Sequence, residues 1–450
     1  MNITKSHYFI VGLSAVLLKV FLFIAVPPSV LYDDHFQPGK LIYLLERLPS
    51  PKMCFECFQP PFFYLLQAIG IKFVHFFSND EYMVHKALQS LTLLFSIGII
   101  PTTKIFLDQI TKNKFNKLLI FTLIAFLPRL LFITPTHGND TAVIFFVLVS
   151  SIFTIKYFKK STLRNGLTLS LFTGIAVMTK STAIILIPAV LIITLLSGKK
   201  IISVRTIGNA SLPLLFPILL FISHNMWKTQ YITNPFEMNM KIMNIDIPQI
   251  PGKRDVFTFK PWTYWHTPLI SKENSKSLWT NLFIQTWNES EPKLTSIWIS
   301  DSFENRYQTH INYRDQNITL NWSELPDSIF IYSKVGLILG TLFLILFIYG
   351  CFQYCFNTKH NWSSPLFWGF VTMLTVNLIG IIKLTGDYPL YSFMKMTFLL
   401  TSIPSLIYFT SKIITGLQAI IKKVLTVLVL LLTLYSTIIS IHLTYSYLTA

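Results

Sequence analysis

Charge is what this sequence is short of. Asp, Glu, Lys and Arg make up only 13% of its 450 residues, and just 20 residues are acidic. Soluble globular domains carry about 25% charged residues, so an ordinary water-soluble fold is excluded. Cysteine is scarce as well: there are four, and no His/Cys set has the spacing of a zinc site. Cys54 and Cys57 form a C-x-x-C, but no thioredoxin-like βαβ pattern surrounds them. They read as a disulfide if their loop faces an oxidising compartment, ahead of a redox centre. Internal repeats and low-complexity tracts are missing too. No A-x-A site follows the first apolar run, which is therefore expected to stay as a signal anchor.

What the chain has in excess is hydrocarbon: 52% of its residues are hydrophobic. Apolar runs fall at 8–26, 88–106, 118–133, 142–157, 166–178, 183–196, 207–222, 335–349, 365–382, 393–409 and 424–443. Runs of this length argue for an all-α polytopic membrane protein with about eleven crossings. The formal net charge of +17 would suggest nucleic acid in a soluble chain. Here it is explained by basic loops kept in the cytoplasm, with a smaller share from cations facing an anionic lipid carrier. Lys112, Lys114 and Lys117; Lys156, Lys159, Lys160 and Arg164; Lys199, Lys200 and Arg205; and Lys412, Lys422 and Lys423 mark those loops. All four clusters lie inside, with the C-terminus outside, only if the short run 61–77, which holds Lys72 and His75, does not cross. It is expected to lie juxtamembrane at the outer leaflet.

The chain thus divides into three regions: 1–224, a transmembrane module with its first external loop at 28–60; 225–330, an external soluble insertion; and 331–450, the C-terminal transmembrane helices. The insertion is polar but holds Trp262, Tyr264, Trp265, Trp279, Trp287 and Trp298, so a folded, membrane-apposed cap is expected. It also carries acceptor-type sequons at Asn288, Asn317 and Asn321. These face outward on this topology, whereas Asn361 does not.

The chain is organised around its first external loop. Asp33 and Asp34 stand where the first span leaves the bilayer, followed by His35, then Glu56, then Gln59-Pro60-Pro61. Carboxylates so close to hydrocarbon are costly and usually functional. The alternative is that the pair caps the next helix. Asn139 and Asp140 open the run at 142, where an N-cap role explains either one. Lys180, Lys395, Lys383 and Arg129 lie near outward ends, where a cation either holds phosphate or snorkels to the interface. Lys180 and Lys395 interrupt apolar stretches and are the better phosphate ligands. Lys19, mid-span, is expected to pair inside the bundle or line a cavity. Outward-facing polar groups thus converge on one membrane face. There a carboxylate could take an acceptor proton and cations could stabilise a departing phosphate.

The ordered set Asp33-Asp34-His35, Cys54-x-Glu56-Cys57-x-Gln59-Pro60-Pro61-x-x-Tyr64, Asn139-Asp140 and the stretch GIAVMTKST at 174–182 resembles the GT-C glycosyltransferases. The likeness is greatest to the branch of dolichyl-phosphate-mannose protein mannosyltransferases and lipid A aminoarabinose transferases. It covers about the first 235 residues, including HNMWKTQYITNPF. It implies an inverting transfer from a polyprenyl-phosphate sugar to an acceptor hydroxyl on a glycan, lipid or protein, with no cofactor or metal required. Asp33 matches the base, ahead of Asp34. Lys180, Lys395, Lys383 and Arg129 are candidates for the donor phosphate. His35, Glu56, Gln59, Asn139 and Asp140 are expected to position the acceptor or the loop. Asp34 replaces a frequent Glu, and Gln59 a frequent His. The membrane would be a bacterial plasma membrane or the endoplasmic reticulum, with the site on its external or lumenal face. A lipid-linked sugar transporter is the first alternative, but the two halves show no similarity to each other. A non-catalytic accessory subunit is the second.

Overall fold

The computed structural model describes residues 4–26, 35–197, 204–229, 256–266, 277–288, 327–357, 364–387 and 396–449. Among them every regular element is helical. In hydrocarbon a helix satisfies its own backbone, which a lone strand cannot. Helices α1 (Lys5–Ala25), α2 (Phe36–Leu45), α3 (Phe62–His75), α4 (Glu81–Ile110), α5 (Lys114–Ala125), α6 (Pro128–Phe132), α7 (Asp140–Lys159), α8 (Leu163–Thr179), α9 (Leu186–Ser197) and α10 (Val204–Thr229) form the N-terminal half. After these come α11 (Leu278–Trp287), α12 (Asp327–Asn357), α13 (Pro365–Asp387), α14 (Met396–Leu400), α15 (Ile403–Gly416) and α16 (Ala419–Thr449). Among the described residues, six helices are long and apolar enough to cross a membrane: α1, α4, α7, and the greater part of α12, α13 and α16.

The centre is α7, which packs against α4, α8, α9 and α15. Its apolar residues run all round, and Val143, Ile144, Val147, Leu148 and Ile155 are wholly buried, as a helix enclosed on every side requires. Helix α1 lies against α4, α5 and α16, and the short pair α2–α3 packs on α4 and α8.

Two runs expected as single crossings are broken. The run 118–133 stops at Ala125 and resumes at Pro128. Proline has no N–H and its ring clashes with the carbonyl four residues back, while Leu127 before it is extended. Carbonyls left over at the break and at the end of the short α6 are taken up by side chains: Ser436 Oγ donates to Phe126 O (2.8 Å) and Lys19 Nζ to Leu130 O (2.9 Å). Lys19 also donates to Ser96 Oγ (2.6 Å) and Thr134 Oγ1 (3.2 Å), inside the bundle as expected. Within 393–409, the described part breaks between α14 and α15, at Thr401 and Ser402. Asn377 Nδ2 donates to Ser402 Oγ (2.7 Å) and Phe398 O (3.0 Å) across that break.

The described parts of 225–330 are not a body set apart from the helices. Val256, Leu278 and Leu282 belong to the main core, and α11 packs on α6, α12 and α14. Two glycines of α12 make room for it. A Cβ on Gly340 would lie 2.4 Å from Trp287 Cδ1, and one on Gly336 would lie 1.8 Å from Asn288 Oδ1. Asn288, expected as an accessible sequon, is 2% exposed; it accepts from Tyr435 Oη (2.5 Å) and donates to Ser333 O (3.2 Å). Asn317 and Asn321 lie outside the described residues.

Candidate functional site

Four elements meet at one end of the bundle: the start of α2, the first turn of α3, the loop from Ile133 to Asn139 with the start of α7, and the end of α8. Lys180 is an extended residue between α8 and a 3₁₀ turn, Ser181–Ile185. Its Nζ donates to Asp140 Oδ1 at 2.5 Å, both side chains less than a tenth exposed (7% and 8%). The same ammonium stands 5.1 Å from the centre of the Phe398 ring. Phe398 lies on α14, three residues beyond Lys395. Asp33, Asp34 and Lys395 themselves lie outside the described residues.

Asn139 and Asp140 do not cap α7 in the expected way. Asn139 sits at ψ 0° rather than in the extended conformation that folds a cap side chain back, and it makes no capping bond. Its amide instead donates to Thr179 O (3.2 Å) and approaches Tyr64 Oη (3.5 Å). Tyr64 Oη is hydrogen-bonded to His35 Nδ1 at 2.8 Å. A Cβ on Gly138 would lie 3.7 Å from both Asp140 Oδ2 and His35 Cδ2. His35, Tyr64, Asn139, Asp140 and Lys180 therefore form one buried polar cluster, and His35 directly follows the acidic pair in the chain.

The loop that delivers Asn139 is pinned from below. Gln89 Nε2 donates to Pro135 O (2.8 Å), Gln67 Nε2 to His137 O (3.2 Å), and the Ser96 and Thr134 hydroxyls are 2.6 Å apart. His137 Nε2 donates to His85 O (3.1 Å). Burial, then the neighbouring His85, pushes His137 down to about 3, so the ring is neutral. Lys86 Nζ donates to Phe23 O (2.6 Å) and Val26 O (2.9 Å). It thereby satisfies carbonyls at the C-terminal end of α1, just before the segment that carries Asp33.

Beside the cluster, Cys54 and Cys57 are joined by a disulfide. Gln59 Nε2 donates to Glu56 Oε2 (2.8 Å), so these two residues pair with each other. Arg129 is fully buried at the start of α6, and Lys383 stands exposed in the last turns of α13. Gln67, Gln89, Lys86, Asn377, His224 and Lys228 are supports that sequence reasoning missed. Their signal was a polar side chain within an apolar helix, which is costly unless partnered.

Residues 59–227 match the family model described as dolichyl-phosphate-mannose-protein mannosyltransferase. No curated protein matches the sequence. Among solved structures, the Archaeoglobus fulgidus oligosaccharyltransferase in its apo form matches at TM-score 0.53 and 11% identity, over 99% of this chain and 56% of that one. The archaeal oligosaccharyltransferase AglB from the same organism, in complex with an inhibitory peptide and a dolichol-phosphate, matches at TM-score 0.50 and 10% identity, over 96% and 55%. ArnT from Cupriavidus metallidurans bound to undecaprenyl phosphate matches at TM-score 0.38 and 12% identity, over 92% and 78%, too distantly to carry an argument. The chain spans about half the length of the archaeal structures it matches. It is an all-helical polytopic membrane protein with the fold of these archaeal structures, and its residues 59–227 match the dolichyl-phosphate-mannose-protein mannosyltransferase family model.

Proposed function

We propose that the chain is a membrane glycosyltransferase that moves a sugar from a polyprenyl-phosphate carrier to an acceptor hydroxyl at the external or lumenal face. Asp33 takes the acceptor proton as the hydroxyl oxygen attacks C1 of the sugar, with Asp34 positioning the acceptor. The new C1–O bond forms as the C1–O bond to phosphate breaks, so the configuration inverts, and the electron pair leaves on the phosphate. Lys180 and Lys395 stabilise that charge. Asp140 holds Lys180 in a dry setting, where a cation without a partner would be costly. His35 and Asn139, joined through Tyr64, position the loop that bears the acidic pair. Glu56 and Gln59 stand on the acceptor side. Arg129 and Lys383 are further candidates for the donor phosphate. No cofactor or metal has a part in this scheme, and transfer is expected to survive a chelator.

The observation that carries this reading is the convergence of Lys180, Asp140, Asn139, Tyr64 and His35 at one end of the bundle, with the α14 segment that follows Lys395 seated on Lys180. The test uses the protein in vesicles supplied with a polyprenyl-phosphate sugar and an acceptor. Asp33→Asn or Asp34→Asn is expected to abolish transfer while carrier lipid still binds. Full turnover by both variants, or translocation of the lipid without transfer, overturns it in favour of a transporter or an accessory subunit.

A further inference from the structure

The end of α10 does something that neither the catalytic reading nor its own helix requires. A lysine in the last turn of a helix ordinarily serves that helix's own free carbonyls or reaches for water. Lys228 is in the last turn of α10 but is only 7% exposed, and it reaches a loop about 170 residues earlier. Its Nζ donates to Pro49 O and to Cys57 O, the latter at 2.9 Å. One turn before it, His224 Nε2 donates to Phe58 O (3.2 Å). The indole of Trp227 lies 4.7 Å from the same ammonium.

The three carbonyls belong to a segment with little regular structure of its own: two short 3₁₀ turns, Pro51–Met53 and Phe55–Phe58. The Cys54–Cys57 disulfide closes a small ring there. Lys228 bridges Pro49 and Cys57, so it closes a wider loop around that ring. The chain leaving the ring is stiff. Gln59-Pro60-Pro61 leads directly into α3, and Tyr64, the hydroxyl that joins His35 to Asn139, is in its first turn. Glu56, whose carboxylate is paired with Gln59, lies inside the ring itself.

We propose that His224 and Lys228 are positioning residues that clamp the Cys54–Cys57 ring, and through it set Glu56 and Gln59 against the incoming acceptor. Lys228 suits this work because it offers three donors on a long stem, while carbonyls at the end of so short a turn must be satisfied from outside it. The hold on the ring follows from contacts alone. Its effect on transfer rests on the glycosyltransferase reading, and the two are measured separately.

The experiment compares the full-length protein with Lys228→Met, Lys228→Arg and His224→Gln in native membranes. Graded dithiothreitol is followed by maleimide, and the labelled cysteines are located by mass spectrometry. In Lys228→Met, Cys54 and Cys57 are expected to open at roughly tenfold lower reductant, the loss of one or two charge-assisted hydrogen bonds. His224→Gln is expected to shift less in the same direction, and Lys228→Arg to restore most of the resistance. In transfer assays KM for the acceptor is expected to rise severalfold in Lys228→Met, with KM for the lipid donor unchanged. Resistance of the disulfide that is the same in wild type, Lys228→Met and His224→Gln overturns the clamp, whatever happens to transfer. Earlier opening with an unchanged acceptor KM overturns the positioning role. If Lys228→Met does not accumulate, the His224→Gln pair of measurements decides. Full turnover by Asp33→Asn and Asp34→Asn would remove the catalytic reading and leave the thiol result standing.

Discussion

The two ends of the bundle use ionic groups in opposite ways. At the site end, Lys180 and Asp140 are almost wholly buried and meet at 2.5 Å, the lysine from the extended residue after α8 and the aspartate from the first turn of α7. At the other end, Asp108 takes Lys104 (2.8 Å) and Lys117 (2.7 Å) with its own side chain 39% exposed. Around it are Tyr8 Oη donating to Lys114 O (2.9 Å) and Asn116 Nδ2 donating to Thr415 Oγ1 (3.1 Å). Exposed pairs of this kind are worth about 0–1 kcal/mol each. A buried pair costs desolvation first and tolerates no half measure. The end around Asp108 is therefore expected to tolerate change, whereas the site end has fixed partners.

That contrast is breakable at its strongest point first. Lys180→Met is expected to lower transfer by about 10²–10³-fold, the usual loss of one preorganised group opposing developing charge. It also leaves a buried carboxylate, costing about 3–5 kcal/mol. The double variant Lys180→Met/Asp140→Leu should regain most of the thermal stability in detergent and none of the activity. Recovery of both would show the pair to be structural only.

Next is Lys19→Met, which takes away the ammonium shared by Ser96, Thr134 and the Leu130 carbonyl and leaves those three only one another as partners. A loss of about 1–3 kcal/mol is expected, read as a lower Tm, with transfer reduced because the loop to Asn139 loosens. An unchanged Tm would mean that the end of α6 needs no ammonium.

His137 sharpens the comparison through pH. Burial pushes its ring down from the ordinary 6.5 to about 3 in the folded protein. Between those values the unfolded chain binds the extra proton, so stability falls as pH drops from about 6.5 towards 3. His137→Asn should flatten that acid limb in a Tm series. A limb of unchanged steepness would refute the assignment.

The smallest effect is expected at the other end. Asp108→Asn should shift stability by no more than about 1 kcal/mol and become silent in high salt. A loss as large as that of Lys180→Met would erase the distinction between the two ends.

The sequence was most legible where one property, hydrocarbon, repeats over many residues. The runs at 8–26, 88–106 and 142–157, for example, lie within or almost coincide with α1, α4 and α7. It was least legible where one residue changes the backbone. Averaged hydropathy passes smoothly over Pro128 and Ser402, yet the helix stops there. The Lys180–Asp140 pair could be suspected residue by residue but not as a pair, because forty positions of folded chain separate its members. In α11, LWTNLFIQTW is too short and too mixed to announce that Leu278 and Leu282 are core. Packing by the glycines of α12 decided that, and glycines at 336 and 340 give no hint of which indole they receive.

The place of α11 also bears on how the protein is made. Its neighbours α12 and α14 are synthesised after it, and Met396 N–H finds its acceptor on Gln285 at 2.9 Å. A ribosome emitting this chain therefore delivers α11 before the groove that receives it exists. The N-terminal half must wait with an unsealed flank until the last third has been threaded into the bilayer. Truncation ahead of residue 396 should accordingly leave a product that membrane quality control recognises, even though every residue of the Lys180 cluster is already present.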